Sequence, residues 1–251
     1  MPPIDFTGRV VLVTGAAGGI GAAVCRQLAM LGADLVLTDI SGSGLESTRS
    51  RLDGRGQYII FKCDLSDPAG IEHMVEAIRS GLGRIDALIH AGAVIRRQPL
   101  DEVTPTDIDL LTRVNMAAPL ILARNVARVM RTHGGGRMVF FSSQGAFTGG
   151  YADSAVYAMT KAGVVALVKS LTREYSRDNI TVNAVAPGGV DTPMLREGVS
   201  GDVLDRFRDM IPLGRFATPE EVATATVFLV SDWASYITGH TLDVNGGQFM
   251  R

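Results

Sequence analysis

Short apolar runs alternate with longer stretches of helical periodicity along the whole chain. The apolar runs are rich in β-branched residues and are apolar on both faces, which is typical of buried strands in a parallel sheet. They cover residues 9–15, 33–39, 57–65, 86–92, 137–143, 180–188 and 240–247. The helical stretches cover residues 19–31, 68–82, 106–130, 154–175 and 219–230. Because parallel strands need crossover connections, the pattern predicts an α/β fold with a doubly wound parallel sheet of about seven strands.

The chain is predicted to be a single domain over residues 1–251, since no linker and no internal repeat interrupts the pattern. In open sheets of this kind, ligands bind at the carboxyl ends of the strands. The residues that end each apolar run are therefore the first candidates for a functional site.

The composition of the chain argues against several classes of function. The formal net charge is −2, from 24 basic and 26 acidic residues that are well mixed, which argues against nucleic-acid binding. The four histidines lack ligand-like spacing, so no metal site is predicted, and Cys25 and Cys63 suit a reducing compartment. The chain has no apolar run of about 18 residues and no signal-peptide pattern at its start. We therefore expect a cytoplasmic protein that does not associate with a membrane.

The run TGAAGGIG at residues 14–21 lies between the first strand and the first helix. Glycine permits close backbone approach, and the free N–H groups at a helix start attract a pyrophosphate. Asp39 ends the next strand, where a carboxylate can accept hydrogen bonds from an adenosine ribose. Since Asp39 would repel a 2′-phosphate and Ala16, Ala17 and Ile40 are not basic, NAD is predicted over NADP. The alternative is a structural turn capped by Asp39.

Tyr157 and Lys161 stand four residues apart in a predicted helix, so they share one face, about 5–6 Å apart at Cβ. A lysine ammonium near a phenol stabilises the phenolate, whose reference pKa is about 10. One charge at about 4 Å contributes about 4 kcal/mol at an effective dielectric of about 20, or roughly three pKa units. We therefore expect Lys161 to lower the pKa of Tyr157, which could then exchange a proton with an alcohol or a ketone.

The same spacing recurs in Tyr58 and Lys62, but that run alternates like a strand, where four residues rise about 13 Å. Only the helical pair is therefore predicted to act together. Ser143 ends the strand that precedes the Tyr157 helix, and its hydroxyl can face a substrate oxygen. Ser142 should point the other way, because side chains alternate along a strand.

Six motifs in this order and spacing resemble those of the classical short-chain dehydrogenase/reductase family over nearly the whole chain. They are TGAAGGIG, Asp64-Leu65, HAG at 90–92, Asn115 in RVNMAAP, the set Ser143, Tyr157 and Lys161, and APGGVDTPM at 186–194. The resemblance implies a Rossmann-type fold and hydride transfer between a nicotinamide and a secondary alcohol carbon, without a metal. Together with the turn residues, it predicts that the cofactor contacts Gly15, Gly19, Ile20, Gly21, Asp39, Asp64, Leu65, His90, Ala91, Gly92, Tyr157, Lys161, Pro187, Gly188, Val190 and Thr192.

The resemblance also implies roles for the catalytic set Asn115, Ser143, Tyr157 and Lys161. Asn115 would hold a water in the proton relay, Ser143 would orient the substrate oxygen, and Lys161 would also bind the nicotinamide ribose. The helices that contain Asn115 and Tyr157 commonly pair across subunits in this family, so a homotetramer is predicted. His90 occupies a position where the family most often has asparagine. A neutral imidazole can replace that residue as a structural pin, and Tyr157 already has the acid/base role.

The substrate is predicted to be a small molecule bound by Ser143, Arg96, Gln144 and Tyr157, under a loop at about residues 188–212. Arginine suits carboxylate recognition, and the run AGAVIRRQPL resembles that of sugar-acid and sugar-alcohol dehydrogenases of this family. The best prediction is therefore a sugar acid or polyol.

Three alternatives stay open. Arg96 and Arg97 could be solvated or paired with Asp101 and Glu102. A 3-oxoacyl-acyl-carrier-protein reductase would use the same arginines on an acidic carrier protein, although Asp39 suits NAD rather than NADPH. A non-catalytic NAD(H)-binding protein is the alternative of a different class, and the intact catalytic set disfavours it.

Overall fold

The computed structural model describes residues 3–250, so Met1, Pro2 and Arg251, which the predicted domain includes, lie outside the described residues. The strands are β1 (Val10–Thr14), β2 (Asp34–Asp39), β3 (Tyr58–Lys62), β4 (Ala87–His90), β5 (Gly136–Phe141), β6 (Ile180–Pro187) and β7 (Thr241–Val244). All seven join one parallel sheet in the order β3-β2-β1-β4-β5-β6-β7. The predicted doubly wound sheet is confirmed, and every strand overlaps its predicted run.

Ten α-helices connect or flank the strands of the described chain. They are α1 (Gly19–Met30), α2 (Gly42–Arg49), α3 (Pro68–Leu82), α4 (Pro105–Thr112), α5 (Ala118–Arg131), α6 (Gly145–Thr148), α7 (Ala155–Tyr175), α8 (Pro193–Arg196), α9 (Gly201–Asp209) and α10 (Pro219–Val230). The predictions for α1, α3, α7 and α10 are confirmed to within one residue at each end. Helices α2, α6, α8 and α9 were not predicted. None is longer than nine residues, which is too short for a helical period to be recognised in the sequence.

The predicted helix over residues 106–130 is not continuous. A five-residue π-helical turn, Arg113–Ala117, separates α4 from α5. Single π turns are rare and occur often at functional sites, because they rotate side chains relative to the regular helix. Asn115 lies at the centre of this turn. The hydrophobic pattern could not indicate it, since both flanking segments keep the same helical period.

The two faces of the sheet carry separate apolar cores. Leu12, Leu88 and Phe140 belong to the core under α3, α5 and α7, whereas Val11 and Ile89 belong to the core under α1 and α10. All five side chains are fully or almost fully buried. This alternation along each strand is why the strands appear apolar on both faces in the sequence.

The order of the strands reverses between β1 and β4. The chain leaves β1 for β2 and β3 on one side and returns to β4 on the other. Such a reversal leaves a crevice at the carboxyl ends of the strands, because the following crossovers run to opposite sides. Thr14 and His90 end the two strands and are partners in register.

Helix α7, with the turn after it, is long and apolar enough over residues 155–178 to cross a membrane by length and composition alone. It packs against β5 and β6 of the sheet and against α5 within the domain. The core helix of a globular domain meets the same criteria, so we assign α7 to the helical layer of the fold.

Candidate active site

A cavity opens at the carboxyl edge of the sheet, where β5, β6, α7 and the segment after β6 meet. It brings together many of the residues that the sequence singled out. Those that line it are Ile20, Ala91, Ser143, Gln144, Tyr157, Lys161, Pro187, Gly188, Val190 and Thr192. The remaining predicted residues lie around the cavity rather than in its wall, and are taken in turn below.

Tyr157 and Lys161 lie one turn apart on α7, both facing the cavity. The Nζ atom of Lys161 is 5.4 Å from the centroid of the Tyr157 ring, within the range of a cation–π contact. The same Nζ donates a 2.9 Å hydrogen bond to the carbonyl of Phe141 at the end of β5. Lys161 is therefore held against the sheet, beneath the ring of Tyr157.

The prediction that Lys161 lowers the pKa of Tyr157 is wrong. Burial raises the pKa of Tyr157 to about 12, and the charge that lowers it is the guanidinium of Arg97 rather than the ammonium of Lys161. Burial also lowers the pKa of Lys161, to about 8. The physical reason is desolvation: both groups lose water that would stabilise their charged forms, and spacing on a helix says nothing about that loss.

Lys161→Met is expected to stabilise the fold at pH 7. With a folded-state pKa of about 8, below its ordinary 10.5, the buried ammonium destabilises the fold below pH 8, and this cost disappears as the pH rises through 10.5. Allowing for the lost bond to Phe141, we expect a gain of about 2 kcal/mol in the free energy of unfolding at pH 7.

Denaturant unfolding at pH 7 and pH 10 measures this gain, which should shrink at the higher pH. Lys169→Met is the matched control, because Lys169 is exposed two turns further along α7. A gain of the same size in both variants, or a gain that grows with pH, would contradict the account.

The two serines at the end of β5 use their hydroxyls differently. The Ser143 Oγ atom accepts a 3.1 Å bond from the Gly145 amide and lines the cavity, and its hydroxyl hydrogen stays available. Ser142 is buried, and its Oγ donates a 2.9 Å bond to the carbonyl of Lys161. Ser142 thus ties α7 to β5, and Ser143 is the serine whose hydroxyl can reach a ligand, as the alternation predicts.

Asn115 is buried beside the cavity and uses its side chain within the protein. Its Oδ1 accepts from the Val94 amide at 3.0 Å, and its Nδ2 donates to the Val94 carbonyl at 2.9 Å and to Thr160 Oγ1 at 3.1 Å. Thr160 in turn donates to the Tyr157 carbonyl. The side chain therefore joins the loop after β4 to α7, and the water-holding role of Asn115 stays a prediction.

Where the glycine-rich turn packs against the turn after β4, there is no room for a side chain at Gly15, Gly21 or Gly92. A Cβ on Gly15 would lie 2.6 Å from the Gly92 amide nitrogen, and one on Gly21 would lie 2.1 Å from the Gly15 carbonyl oxygen. A Cβ on Gly92 would lie 2.5 Å from the Leu65 side chain, and one on Gly19 would touch Thr192. Gly15, Gly19, Gly21, Leu65 and Gly92 therefore shape the turn around the cavity edge.

The first turn of α1 is free to receive an anion. Gly18 precedes the helix without a side-chain cap, which leaves the first N–H groups without a side-chain acceptor. Asp39 lies beside it, where its carboxylate accepts bonds from the amides of Ala17 (3.3 Å) and Ser41 (2.9 Å). Each oxygen retains acceptor capacity for a hydroxyl. These residues fit the pyrophosphate and adenosine ribose of a dinucleotide.

Two further residues lie at this end of the site. Asp64 is exposed in the turn after β3, where its carboxylate accepts from the Ser66 amide at 2.8 Å. Lys62, which was not predicted as a site residue, ends β3 in register with Asp39. It is a basic group close to the proposed ribose site, and only strand pairing reveals it.

His90 is a structural link between β1 and β4. It is buried, and its Nδ1 is 2.8 Å from the Thr14 hydroxyl oxygen, which also accepts a bond from the Gly92 amide. Burial, assisted by the charge of Lys161, lowers the pKa of His90 to about 3, so the ring is neutral at physiological pH. His90 lies behind the Ala91–Gly92 turn and does not line the cavity. These contacts support the pin interpretation.

Arg96, predicted to contact the substrate, is exposed and outside the cavity wall, whereas Arg97 lines the cavity. The residue of this pair that can contact a ligand in the cavity is therefore Arg97, and the prediction of Arg96 is corrected to Arg97. The loop after β4 is irregular, so neither helical nor strand periodicity specified which residue points inward. The other charged residues near the mouth behave as surface groups, with Arg196 paired to Asp191 at 2.6 Å.

Gln144 is buried in the wall next to Ser143, and its Nε2 donates a 2.7 Å bond to Gln248 Oε1. Beside it, the rings of Phe147 and Phe249 stack 5.4 Å apart. The chain after β7 therefore supports the segment that carries Gln144. This contact spans more than 100 residues of sequence, and no local pattern signals it.

One part of the cavity wall is apolar. It comes from the loop after β4 and from the 188–212 segment, with the ring of Tyr151 set edge-on to that of Phe207, 5.4 Å apart. The aliphatic and phenylalanine side chains of this wall are Ile95, Met194, Leu195, Val199, Val203, Leu204 and Phe207. All but Ile95 lie in the 188–212 segment that the sequence predicts over the substrate.

Comparison with known proteins relates this site to a large group of oxidoreductases. Residues 15–248 match the family model described as enoyl-(acyl carrier protein) reductase. The chain is 36% identical to D-threitol dehydrogenase of Mycolicibacterium smegmatis, over 97% of this chain and 95% of the relative. It is also 36% identical to 3-oxoacyl-acyl-carrier-protein reductase FabG of Escherichia coli, over 98% of this chain and 100% of the relative.

A solved structure has the same overall fold. It is that of a putative NAD(P)-dependent gluconate 5-dehydrogenase from Beutenbergia cavernae with bound NADP at low occupancy, which superposes with a TM-score of 0.92 at 34% identity, covering 98% of this chain and 99% of that chain.

Proposed function

The chain belongs to the short-chain dehydrogenase/reductase family, and we propose that it interconverts a secondary alcohol and a ketone with NAD(H) as cofactor. The observation that carries the proposal is the convergence of Tyr157, Lys161 and Ser143 on one cavity beside the glycine-rich turn. A pure nucleotide-binding protein needs the turn but has no use for the three side chains.

Each side chain has a distinct proposed task. Tyr157 takes the proton of the alcohol during oxidation and returns it to the oxygen during reduction. The Ser143 hydroxyl, held by the Gly145 amide, orients that oxygen through a hydrogen bond. Lys161 supports the Tyr157 ring from below, and its remaining donors are free to bind a ribose hydroxyl. When bound, the nicotinamide accepts a hydride from the alcohol carbon or donates one to the ketone carbon.

The proposed cofactor contacts follow the sheet edge. Gly15, Gly19, Ile20 and Gly21 would face the pyrophosphate, and Asp39, Asp64 and Leu65 the adenosine. Ala91 and Gly92 would pass close to the nucleotide, with His90 behind them. Pro187, Gly188, Val190 and Thr192, which share the cavity wall with Tyr157 and Lys161, would face the nicotinamide.

NAD is expected to give a kcat/KM at least about tenfold higher than NADP, because the Asp39 carboxylate repels a 2′-phosphate. Asp39→Asn should reduce this ratio, since it removes the charge and keeps the size. Asp34→Asn is the matched control at the opposite end of β2, where its carboxylate accepts from the Gln57 amide. Initial rates with both cofactors measure the ratio. Preference for NADP in the unaltered protein, to which Lys62 could contribute, would overturn the assignment.

The substrate proposal rests on the cavity wall. A sugar acid or polyol, the prediction from the sequence, is supported by the similarity to D-threitol dehydrogenase and to the putative gluconate 5-dehydrogenase. The apolar wall formed with Leu195, Leu204 and Phe207 favours a different molecule, because hydroxyl groups buried there would lose water without gaining partners. We therefore propose a substrate with polar groups near the reacting carbon and an apolar remainder, and keep the polyol as the second candidate.

A panel assay separates these candidates. Initial rates of NADH formation are compared for short polyols, aldonates, hydroxyacyl thioesters and cyclic secondary alcohols. The apolar wall predicts higher kcat/KM for the last two classes, and the hydroxyacyl thioesters also test the carrier-protein reductase alternative. Higher kcat/KM for polyols or aldonates would contradict the apolar proposal and support the sugar-acid one. No turnover with any class, together with tight NADH binding, would favour the non-catalytic alternative.

We also propose a homotetramer in the cytoplasm. Ile108 of α4, Leu120 of α5 and Met159 of α7 expose 41%, 49% and 52% of their surface, an apolar set on the helices that the family resemblance implicates in assembly. Burying such side chains against a second copy would remove apolar surface from water. A mass of 26.6 kDa by light scattering, that of one chain, would contradict the tetramer.

A further inference from the structure

Arg97 connects three segments around the cavity. It belongs to the loop after β4, and its guanidinium lies between the 149–154 turn and the 188–212 segment. Its Nε donates to the Glu197 carbonyl at 3.1 Å, and its Nη1 makes a longer contact of 3.4 Å with the Ala152 carbonyl. Neither acceptor is a carboxylate. The side chain is therefore engaged by the protein's own backbone, unlike a guanidinium kept free for an anion.

The segment that Arg97 reaches has few other attachments. Helices α8 and α9 bury no residue fully. In the described part of the chain, the other hydrogen bonds and ion pairs of residues 193–209 stay within residues 191–211, including the pair Arg196–Asp191. Beyond these, Phe207 packs on Tyr151 and Phe216. The bond from Arg97 to Glu197 is thus the hydrogen bond that joins this segment to another part of the fold.

The second anchor is a strained turn. Ala152 and Asp153 both have positive φ values, +51° and +55°, in a region that non-glycine residues seldom adopt. Their carbonyls are the acceptors for Arg97 and for the Gln98 amide, the latter at 2.9 Å. Strain of this kind persists where surrounding contacts over-determine it. The turn immediately precedes α7, so the position of Arg97 and the start of the Tyr157 helix are linked.

We propose that Arg97 is a positioning residue that fastens the 193–209 segment over the cavity and, through the same contacts, keeps a positive charge beside the Tyr157 hydroxyl. The second half of this statement rests on the proposed acid/base function of Tyr157. The charge is effective because Arg97 is half-buried and poorly screened by water.

Arg97 and Lys161 are the charged residues that share the cavity wall with Tyr157 in the described part of the chain. Arg97 lowers the pKa of Tyr157, against the larger effect of burial. Lys161 lies under the ring from the same helix. Glu197 of the 193–209 segment lies close enough to Arg97 to raise the pKa of Arg97, against the effect of burial. Loss of the Arg97 charge therefore removes a field that lowers the pKa of the phenol, so the pKa of Tyr157 should rise.

Arg97→Ala and Arg96→Ala form the matched pair, because they remove the same charge from adjacent residues, one inside the cavity wall and one exposed. The first readout is trypsin cleavage at Arg196, Arg206 and Arg208 in the unaltered chain and both variants. We expect cleavage in this segment about tenfold faster in Arg97→Ala, from the loss of a charge-assisted hydrogen bond, and unchanged in Arg96→Ala.

The second readout is the pH profile of alcohol oxidation. Because the base form of Tyr157 loses a stabilising charge, the alkaline rise should move upward by about one pH unit in Arg97→Ala and stay in place in Arg96→Ala. Arg97→Lys keeps the charge but lacks the planar fork, so its profile should move less while its cleavage remains fast. If Arg97→Ala does not fold, Arg97→Gln takes its place in both readouts.

Unchanged cleavage in Arg97→Ala would overturn the fastening role. A rise in KM restricted to carboxylate-bearing substrates, with cleavage unchanged, would instead assign the guanidinium to substrate binding. Faster cleavage with an unmoved pH profile would overturn the charge half alone. The cleavage rate does not depend on turnover, so its result stands even if Tyr157 is dispensable for catalysis. Failure of the proposed function is therefore distinguished from failure of the fastening role.

Discussion

Tyr157→Phe is expected to lower kcat by about 10²- to 10⁴-fold, the usual contribution of a positioned general acid or base. The substitution removes only the hydroxyl, and the ring that lies over Lys161 remains. Cofactor affinity and the free energy of unfolding should therefore change little. Initial rates on the best substrate, with NADH binding followed by fluorescence, separate the loss of proton transfer from a loss of binding.

The chain provides its own control for this variant. Tyr58 stands four residues before Lys62, as Tyr157 does before Lys161, but the Tyr58 pair lies on β3. Tyr58 is partly buried on β3 and does not line the cavity, so Tyr58→Phe should leave the activity unchanged. Equal losses in the two variants, or full turnover in Tyr157→Phe, would refute the acid/base assignment.

The raised pKa of Tyr157 also predicts how the reaction rates depend on pH. With the pKa of Tyr157 at about 12 in the protein alone, the proton-accepting form is scarce at neutral pH. Alcohol oxidation should therefore accelerate as the pH rises, whereas ketone reduction, which needs the protonated phenol, should not. An oxidation rate that fell between pH 7 and pH 9 would contradict Tyr157 as the base.

Gly21→Ala is expected to destabilise the fold by about 3 kcal/mol or more, one of the larger effects available to a single methyl group. The new Cβ would lie 2.1 Å from the Gly15 carbonyl oxygen and 2.7 Å from its carbonyl carbon. Both are backbone atoms of the turn between β1 and α1, so neither can rotate away. For a domain of this size, such a loss lowers Tm by roughly 10 °C.

Gly18→Ala is the matched control, three residues earlier in the same turn. Its backbone is extended, with φ of −171°, and a Cβ there meets nothing within 4 Å. Its cost should stay below about 1 kcal/mol, the difference expected between glycine and alanine before a helix. Thermal unfolding of both variants decides the matter: similar Tm values for Gly21→Ala and Gly18→Ala would show that the turn relaxes, and that its close packing is not required.

Local sequence signals identified the strands of the sheet and the helices α1, α3, α7 and α10. The apolar runs overlap all seven strands, because strands that are buried on both faces of a parallel sheet consist largely of consecutive apolar residues. The turn chemistry of Asp67, Pro68 and Gly83 delimits α3, where Asp67 caps the helix and Gly83 ends it with φ of +74°. Motif order then placed Ser143, Tyr157 and Lys161 at one sheet edge, and these three do line one cavity.

Only the tertiary structure decided which arginine faces the cavity and in which direction the pKa of Tyr157 shifts, because sequence spacing contains no information on either. Choosing Arg97 over Arg96 required the path of an irregular loop, since adjacent residues have no periodicity to separate them. The direction of the Tyr157 pKa shift depended on desolvation by neighbours far away in sequence. The sequence by itself thus determined the sheet, the glycine turn and the helical tyrosine–lysine pair, because each depends on the burial and backbone geometry of residues that are neighbours in the sequence. Which charge faces the phenol, and how the 193–209 segment is held, depend on long-range contacts that form only when the chain has folded.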